Sequence, residues 1–345
     1  MKRLIAILVW MIQVCVFSSA QAQQDVKFVS KEKEQQVEVW IGGVYFTSYN
    51  YSSKIEKPVI YPLQTASGIT VSRGYPLAPR AGERTDHPHH IGLWFNYGDV
   101  NGLDFWNNSD AIKAEEKPKY GSIHHQKVVR IKNGKEGILV ASSDWVDMQG
   151  NVLLKEETEY HFSGTTTRRQ IDRVTKLTAQ ANPVLFKDNK EGLLGLRVCR
   201  ELEMPADKPE IFTDANGIAT KVAVLNNEGV TGDFLTSAGK TGNAAWGTRG
   251  NWCMLAGKKN QENVAITIVD HPNNPGYPTY WHARGYGLFA ANNLGQEVLS
   301  GGKEKLNFSL SAGQSVTFKH RILITNGKSL QAAELNEEAT AFSKK

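Results

Sequence analysis

Three of the nine histidines of this chain fall within four residues, in the segment Asp86-His87-Pro88-His89-His90. Imidazoles titrate near neutral pH and serve as general acids, general bases or metal ligands. In an extended backbone, His87 and His89 share one face and His90 points to the other. The three imidazoles are therefore expected to bind one ion only if Pro88 bends the chain.

A second segment, residues 270–289, contains the same residue types. It opens with Asp270 and His271, and its prolines and glycines force a loop directly after an apolar strand predicted at 264–269. The polar and aromatic side chains beyond this loop are Tyr280, Trp281, His282, Arg284 and Tyr286. Because loops held by rigid strands commonly carry binding sites, we expect segments 79–106 and 270–289 to converge on one cleft.

A third group of polar residues is looser. It consists of His125, which we favour over His124, and of three charged residues, Lys190, Glu191 and Arg197. The three charged residues lie at an apolar strand that is predicted to start at residue 192. Alternation places Arg197 on the face opposite its apolar neighbours, so it points to solvent or into a polar cleft. A carboxylate such as Glu191 or Glu201 is the expected partner, and a simple ion pair at the rim is the alternative interpretation.

These residue types suit a protein that acts on carbohydrates. Aromatic faces stack on sugar rings, arginines hold oxygen-rich or anionic groups, and a histidine with a carboxylate forms an acid/base pair. The general acid is expected at His90 or His282. The general base is expected at Glu191 or Asp270. Epimerase, lyase and hydrolase chemistry all remain open, and none of them needs a cofactor.

The full set of candidate residues follows from the three groups. The candidate catalytic residues are His87, His89, His90, His125, Glu191, Asp270 and His282. The candidate substrate-binding residues are Arg80, Trp94, Asn96, Trp106, Lys190, Arg197, His271, Tyr280, Trp281, Arg284 and Tyr286.

Two other hypotheses use the same residues. The first is a metalloprotein that binds Zn, Cu or Fe. Its ligands would be His87, His89, His90 and His282, with His125 as a further imidazole. The sequence has no HExxH and no CxxC, the patterns that indicate such sites strongly, so a transition metal is an alternative to the cofactor-free prediction. The second hypothesis is a non-catalytic glycan-binding module.

The N-terminus predicts export. Lys2 and Arg3 precede an apolar stretch at 4–17, and Ala20-Gln21-Ala22 forms a small-residue cleavage pattern. Residues 1–22 are therefore expected to be a secretory signal peptide, and the mature protein to be periplasmic or extracellular. The mature chain keeps two cysteines, Cys199 and Cys253, each in an apolar strand pattern, which favours buried thiols over a disulfide framework.

The mature chain, residues 23–345, predicts one all-β domain, a large antiparallel β-sandwich. Apolar and polar residues alternate at 305–310 and 316–324, as in half-buried strands. Asn-Gly and similar turn signals separate many such runs, and no βαβ pattern occurs. Only residues 329–345 predict a helix, with Ser329 as its N-cap and Leu335, Ala339 and Phe342 on one face.

Charge gives no support for a nucleic-acid partner. The formal net charge is +5, but the sequence contains no basic stripe and no block of like charges. No segment after residue 22 is apolar for long enough to span a membrane. The expected partner is a small carbohydrate or a glycan, and the sequence leaves the oligomeric state open.

Several motifs resemble an exported bacterial family known as PmoA-like proteins. They are 86–94, 101–106, 190–197, and 271–292 with its His-Pro-Asn-Asn-Pro start. The resemblance covers nearly the whole mature chain. It implies a strand-rich fold similar to the galactose-mutarotase-like supersandwich and leaves the function open. Asn293 stands where proline is expected in relatives, so the conformation of that loop is not implied. Methane oxidation, suggested by the family label, requires a membrane-spanning subunit, so we do not expect it here.

Overall fold

The computed structural model describes residues 22–345, so all but the last residue of the predicted signal peptide (1–22) lies outside the described residues. Within the described residues the chain forms eighteen β-strands and two short α-helices. None of these helices is both long and apolar enough to cross a membrane. The predicted all-β fold with large antiparallel sheets is confirmed.

The first sheet has eight strands and carries the His-rich segments at one end. In spatial order they are β1 (Val26–Lys31), β2 (Gln36–Ile41), β3 (Val44–Asn50), β4 (Val59–Ile60), β5 (Leu93–Tyr97), β11 (Gly192–Arg197), β16 (Leu288–Asn292) and β15 (Tyr280–Arg284). All neighbours are antiparallel. The sheet thus brings together strands that are almost 200 residues apart in sequence.

The second sheet also has eight antiparallel strands. In spatial order they are β12 (Asp233–Thr236), β13 (Trp252–Lys259), β14 (Glu262–Asp270), β18 (Ser315–Asn326), β9 (Arg168–Ala179), β8 (Val152–Gly164), β7 (Gly137–Val146) and β6 (Ser122–Lys132). A separate two-stranded ladder joins β10 (Val184–Phe186) to β17 (Phe308–Leu310).

The main core lies between the two large sheets. Its side chains come from the residues that face inward from the strands of both sheets. Examples are Leu194 of β11, Phe318 of β18 and Ile266 of β14, all fully buried. Phe95 of β5 contacts Phe318 across the interface, with ring centroids 5.7 Å apart. Aromatic pairs at this distance strengthen sheet packing beyond the area they bury.

The centre of the first sheet is covered on its other face as well. Every residue of β5, β11 and β16 is buried, which a sheet with one solvated face does not show. The cover comes from connecting segments, since Ile91 and Trp106 pack on Leu288 and Ala290 in a second apolar cluster. Long connections therefore cover the outer face of this sheet.

The C-terminal helix forms as predicted, with a different start. After a single turn, α1 (Gln296–Leu299), the chain ends in α2 (Ala332–Phe342). Gln331 is the N-cap and forms a capping box with Glu334, so the prediction of Ser329 as N-cap is wrong, because the reciprocal side-chain bonds at Gln331 satisfy the first N–H groups. The predicted apolar face is buried, through Leu335, Ala339 and Phe342.

The two cysteines of the described chain are free and buried, as predicted. Cys199 follows β11 and Cys253 lies in β13. Burial raises the pKa of the Cys199 thiol to about 12, so this side chain behaves as an inert apolar group.

Candidate functional site

Strand pairing on the outer face of the first sheet places the two His-rich segments in adjacent rows. One row contains Trp94, Gly195, Ala290 and His282, from β5, β11, β16 and β15. The next row contains Arg197, Leu288 and Arg284. Directly paired residues point to the same face of the sheet. Trp94 and His282 are three strand spacings apart, which corresponds to about 14 Å.

Two tryptophans form the floor of the site, and a glycine makes room for them. Trp94 and Trp106 are fully buried, with ring centroids 5.1 Å apart. A Cβ atom added at Gly195 would lie 2.5 Å from the Trp94 ring and 2.8 Å from the Trp106 ring. Gly195 therefore lets both indoles lie directly on the sheet.

We expect Gly195→Ala to destabilise the protein by about 1–3 kcal/mol, because the added methyl group forces both indoles off their packed positions. Urea unfolding monitored by tryptophan fluorescence measures this change. Gly285→Ala is the matched control, since its Cβ would meet nothing closer than 3.4 Å. Equal stability of the two variants would contradict the assigned role of Gly195.

Three aromatic rings stack on Trp94 of this floor and form a column with it. His90 lies on Trp94 at 5.1 Å, His87 lies on His90 at 4.8 Å, and Tyr286 lies on His87 at 5.0 Å. His89 meets His90 edge-on at 4.4 Å. The contact between His87 and Tyr286 brings the segments 79–106 and 270–289 together at one site.

A turn, rather than an extended strand, makes this column possible. The N–H of His90 donates to the carbonyl oxygen of His87 at 3.0 Å, and His87 has φ +46°. The backbone is therefore not extended here: it bends at Pro88, the alternative that the sequence left open for bringing the three imidazoles together. A left-handed conformation at a residue other than glycine is costly and is concentrated at functional sites.

Asp86 and His87 form a dyad in which His87 is exposed and Asp86 is partly buried. Asp86 Oδ2 lies 2.5 Å from His87 Nδ1, and Asp86 Oδ1 accepts from Arg73 at 3.0 Å and from Arg197 at 2.7 Å. Burial alone would raise the pKa of Asp86, but Arg197, the His87 hydrogen bond and Arg73 hold it well below its usual range. Since the ionised carboxylate can only accept, Nδ1 of His87 donates to it, and Nε2 is the ring nitrogen left for a ligand.

The imidazoles behind the dyad are held neutral. Burial lowers the pKa of His89 to about 2 and that of His90 well below its usual value, with neighbouring cations adding to both effects. Arg197 Nη1 lies 3.3 Å from His90 Nδ1. Arginine has no acceptor atom, so His90 accepts at Nδ1 and carries its proton on Nε2. His87, whose side chain is 40% exposed, is thus the imidazole of the column that can reach a ligand.

A buried lysine supports the histidine turn. Lys57 Nζ donates to the carbonyl oxygen of His89 at 2.9 Å and lies 5.7 Å from the Trp94 ring centroid. Burial lowers the pKa of Lys57 to about 7, although Glu56 and Asp104 oppose this effect. Lys57 therefore changes its charge near neutral pH directly beneath the imidazoles.

Buried polar atoms without a hydrogen-bond partner are concentrated on this face of the described chain. They include His89 Nε2, His90 Nε2, Trp94 Nε1, Trp106 Nε1 and His282 Nδ1. Folded proteins leave few buried polar groups unpaired, at about 1–3 kcal/mol each. Their clustering supports a functional rather than a purely structural role for this face.

A second polar pair lies at the β15 side of the site. His282 Nδ1 is 3.9 Å from Glu191 Oε2, and Glu191 also pairs with Lys190. Burial lowers the pKa of His282 to about 4, against the opposing effect of Glu191. Burial also raises the pKa of the Tyr286 hydroxyl to about 12, and Glu191 acts in the same direction. Glu191 therefore belongs electrostatically to the same site as Tyr286.

A family model matches residues 36–340, and its description is "Family of unknown function (DUF6807)". The chain belongs to the DUF6807 family. A comparison with curated proteins gave no significant match.

Solved structures similar to this DUF6807 chain have low sequence identity. A galactose mutarotase-like protein from Clostridium acetobutylicum matches with a TM-score of 0.34 and 9% identity, over 87% of this chain and 98% of its own. The galactosidase domain of the alpha-galactosidase-sucrose kinase AgaSK matches with a TM-score of 0.39 and 9% identity, over 87% of this chain. The α-galactosidase from Lactobacillus brevis matches with a TM-score of 0.37 and 8% identity, over 90% of this chain. The chain spans only 42% and 40% of the lengths of these two galactosidases.

Several of the residues proposed from the sequence lie elsewhere in this DUF6807 fold. Trp281 is fully buried in the core between the sheets, because alternation in β15 turns it away from the face of His282. The ring of Tyr280 lies against Arg249 at 5.1 Å. Asn96 is buried and donates to the carbonyl oxygen of Phe105. A substrate-binding role for Trp281 is therefore wrong, and Tyr280 and Asn96 have structural partners.

Asp270 and His271 are also removed from the histidine column. Asp270 ends β14 in the second sheet and accepts from Asn274 at 2.7 Å and Asn293 at 2.9 Å. His271 packs edge-on against Phe342 of α2 at 5.1 Å. Burial raises the pKa of Asp270 to about 7 despite these hydrogen bonds. The proposed general base Asp270 is therefore corrected to a buried anchor for the loops at 274 and 293.

Arg80 and His125 belong to other parts of the surface. Arg80 donates to Glu83 and to the carbonyl oxygen of Ser72. His125, in β6, lies 4.1 Å from the Tyr51 ring and lines a separate cavity of about 460 Å³. Lys57 also lines that cavity, but neither Arg80 nor His125 contacts the ring column.

The imidazoles do not converge as metal ligands would. His87 and His90 stack face to face and His89 meets His90 edge-on, so the in-plane lone pairs of the stacked pair lie in parallel planes and do not meet at one ion. Within residues 22–345, no group of three or more His, Cys, Asp or Glu side chains could hold a metal ion. The predicted set His87, His89, His90 and His282 therefore lacks the geometry of a metal centre.

Sequence reasoning missed three residues that organise the site. Asp86 belongs to the histidine motif in the sequence, and its position next to His87 is the signal that could have indicated its role. Arg73 and Lys57 lie in connecting segments without a recognisable pattern, 13 residues or more before the turn that they support. Only the folded chain places their cations against the carbonyl oxygens of His87 and His89.

The low pKa of His282 predicts how stability depends on pH. Between pH 6.5 and about 4 the unfolded chain binds a proton at this residue and the folded chain does not, so stability falls as pH falls. We expect His282→Gln to reduce the slope of the free energy of unfolding against pH by about 1.4 kcal/mol per pH unit in this range. Urea unfolding at several pH values between 4 and 6.5 measures both slopes. Parallel curves for the two proteins would contradict a neutral buried His282.

Proposed function

We propose that the protein is a carbohydrate-active enzyme in which His87 transfers a proton to or from a sugar or sugar derivative. The observation that carries this proposal is the Asp86–His87 dyad. Its imidazole is exposed and oriented by a carboxylate that two buried arginines keep ionised. An imidazole oriented by a carboxylate and open to a ligand at Nε2 can act as a general acid or base.

The surrounding groups suit a substrate rich in hydroxyls. Tyr286 offers an aromatic ring beside His87, and Arg284 is an exposed cation 5.8 Å from that ring. The pair formed by Glu191 and His282 supplies hydrogen-bonding groups at the other side of the site. In this proposal Arg284 stabilises negative charge that develops on a substrate oxygen, and Glu191 binds hydroxyl groups.

Proton abstraction or ring opening fits this site better than hydrolysis by two carboxylates. Hydrolysis needs one carboxyl group that is protonated at neutral pH. Asp86 cannot supply it, because Arg73 and Arg197 hold its pKa very low. A histidine base next to a guanidinium matches the removal of a proton beside a carbonyl group, or catalysis of ring opening, as in epimerases and lyases.

The test is solvent-hydrogen exchange observed by NMR. The purified protein is incubated in D₂O with aldoses, keto sugars, uronic acids and disaccharides. We expect one class to show deuterium incorporation, accelerated anomeric exchange or a new product, and His87→Gln to abolish the effect. Binding without any reaction would instead support a non-catalytic glycan-binding module. Reaction that is undiminished in His87→Gln would overturn the assignment of the dyad.

Two further parts of this proposal come from the sequence. The N-terminal pattern at 1–22 leads us to propose that the enzyme is exported to the periplasm or the extracellular space. The motif resemblance leads us to propose that it is related to the PmoA-like proteins. Comparison of the N-terminus of the protein purified from cell fractions with that of the full chain tests the first part.

A further inference from the structure

A cleft of about 450 Å³ adjoins the ring column on the side of Tyr286. Its walls come from three segments that are far apart in sequence: 204–210, 243–246 and 283–286, with Arg84 at one side. We call it the Trp246 cleft, after the large aromatic side chain in its wall. Its volume lies within the range of small-molecule sites.

Tyr286 links the Trp246 cleft to the proposed catalytic dyad. The same side chain that stacks on His87 at 5.0 Å also lines the cleft. Arg284 lies between the two aromatic groups of the cleft, 5.8 Å from the Tyr286 ring and 5.9 Å from the Trp246 ring. A ligand held at His87 would therefore extend past Tyr286 and Arg284 into this cleft.

The polar groups of the cleft are better suited to bind the hydroxyl groups of a ligand than to bind a ligand with a single charge. Arg84 is already neutralised by Glu203 and Glu210, at 2.7 Å each. Among the described residues, neither Arg284 nor Asp207 has an ion-pair partner, so one free cation and one free anion remain. A hydroxyl group can accept from the first and donate to the second, whereas an anionic or cationic ligand would be repelled by one of them.

We propose that the Trp246 cleft binds a second sugar unit, next to the unit that reacts at His87. The substrate is then a disaccharide, a longer oligosaccharide or a glycoside, rather than a free monosaccharide. Trp246 supplies the stacking surface for the second ring, and Arg284, Asp207 and Asn243 supply hydrogen bonds. This inference rests on the proposed function, because it assumes that the first sugar unit lies at the dyad.

Calorimetric titration of the full mature protein with matched sugar pairs tests the inference. The pairs are xylose with xylobiose, glucose with cellobiose and with maltose, and galacturonic acid with digalacturonic acid. We expect at least one disaccharide to bind about tenfold more tightly than its monosaccharide, as one additional aromatic contact provides. We expect Trp246→Ala to remove that difference and to leave monosaccharide binding within twofold of the original protein.

Trp40→Ala is the matched control, since Trp40 lies in β2, away from the cleft, and bonds to Glu38. It is expected to leave both affinities unchanged. If Trp246→Ala weakens neither ligand, or weakens both equally, the second-unit site is overturned while the dyad still stands on the exchange experiment. If no pair binds and no sugar exchanges hydrogen with solvent, the proposed function fails, and this inference fails with it.

Discussion

Replacing His87 with glutamine is expected to lower kcat/KM by about 10²–10⁴-fold for the sugar identified by hydrogen exchange, with the fold intact. This is the range that a positioned general acid or base contributes. The effect should fall on kcat rather than KM, because Nε2 acts in proton transfer and not in ground-state binding. Steady-state kinetics with circular dichroism of the same samples measures both properties.

Asp86→Asn separates the roles of the two dyad residues. An amide at this position no longer fixes the protonated Nδ1 of His87, so we expect a similar fall in kcat with the imidazole still present. His124→Ala is the control, since this exposed histidine lies in β6 and touches none of the dyad residues. Full activity in His87→Gln or Asp86→Asn would show that the reaction takes place elsewhere.

Replacing Arg197 with methionine is expected to destabilise the protein by about 3 kcal/mol, at the lower end of the cost of breaking a buried ion pair. Arg197 is fully buried, donates to Asp86 at 2.7 Å and lies 4.8 Å from the Tyr286 ring. Its loss leaves Arg73 as the cation that still pairs with Asp86. Asp86 is 25% exposed, so solvent offsets part of the loss.

Denaturant unfolding at pH 7 measures this effect, and Arg284→Met provides the matched control. Arg284 faces the same Tyr286 ring at 5.8 Å, but it is exposed and has no ion-pair partner among residues 22–345. We expect the control to change stability by less than about 0.5 kcal/mol. Equal stabilities for both variants would contradict the assigned charge network.

Much of the fold could be read directly from periodicity. Alternation predicted strands at 305–310 and 316–324, where the fold has β17 and β18, because burial of one sheet face selects apolar residues at every second position. The same logic failed for the helix start, where Gln331 caps in place of Ser329. Side-chain capping depends on which local hydrogen bonds close, and several nearby polar residues can make them.

The candidate site was only partly predictable. Residue types marked His87, Tyr286 and Arg197 as candidate site residues, and the fold brings them into contact. Residue types also marked Trp281 and Asp270, which the fold buries elsewhere. A tryptophan or an aspartate has the same identity in a core as in a cleft, so composition alone cannot separate the two cases.

The sequence by itself determined the strand-rich architecture, the apolar face of the last helix and the concentration of histidines at 87–90, because these follow from local pattern. Tertiary structure decided that the chain turns at Pro88, that Asp86 lies between Arg73 and Arg197, and that Tyr286 completes the ring column. These contacts join residues up to 200 positions apart, and pairing of β5, β11 and β16 sets their register. Register across a sheet depends on every strand at once, so no single segment of the sequence contains it.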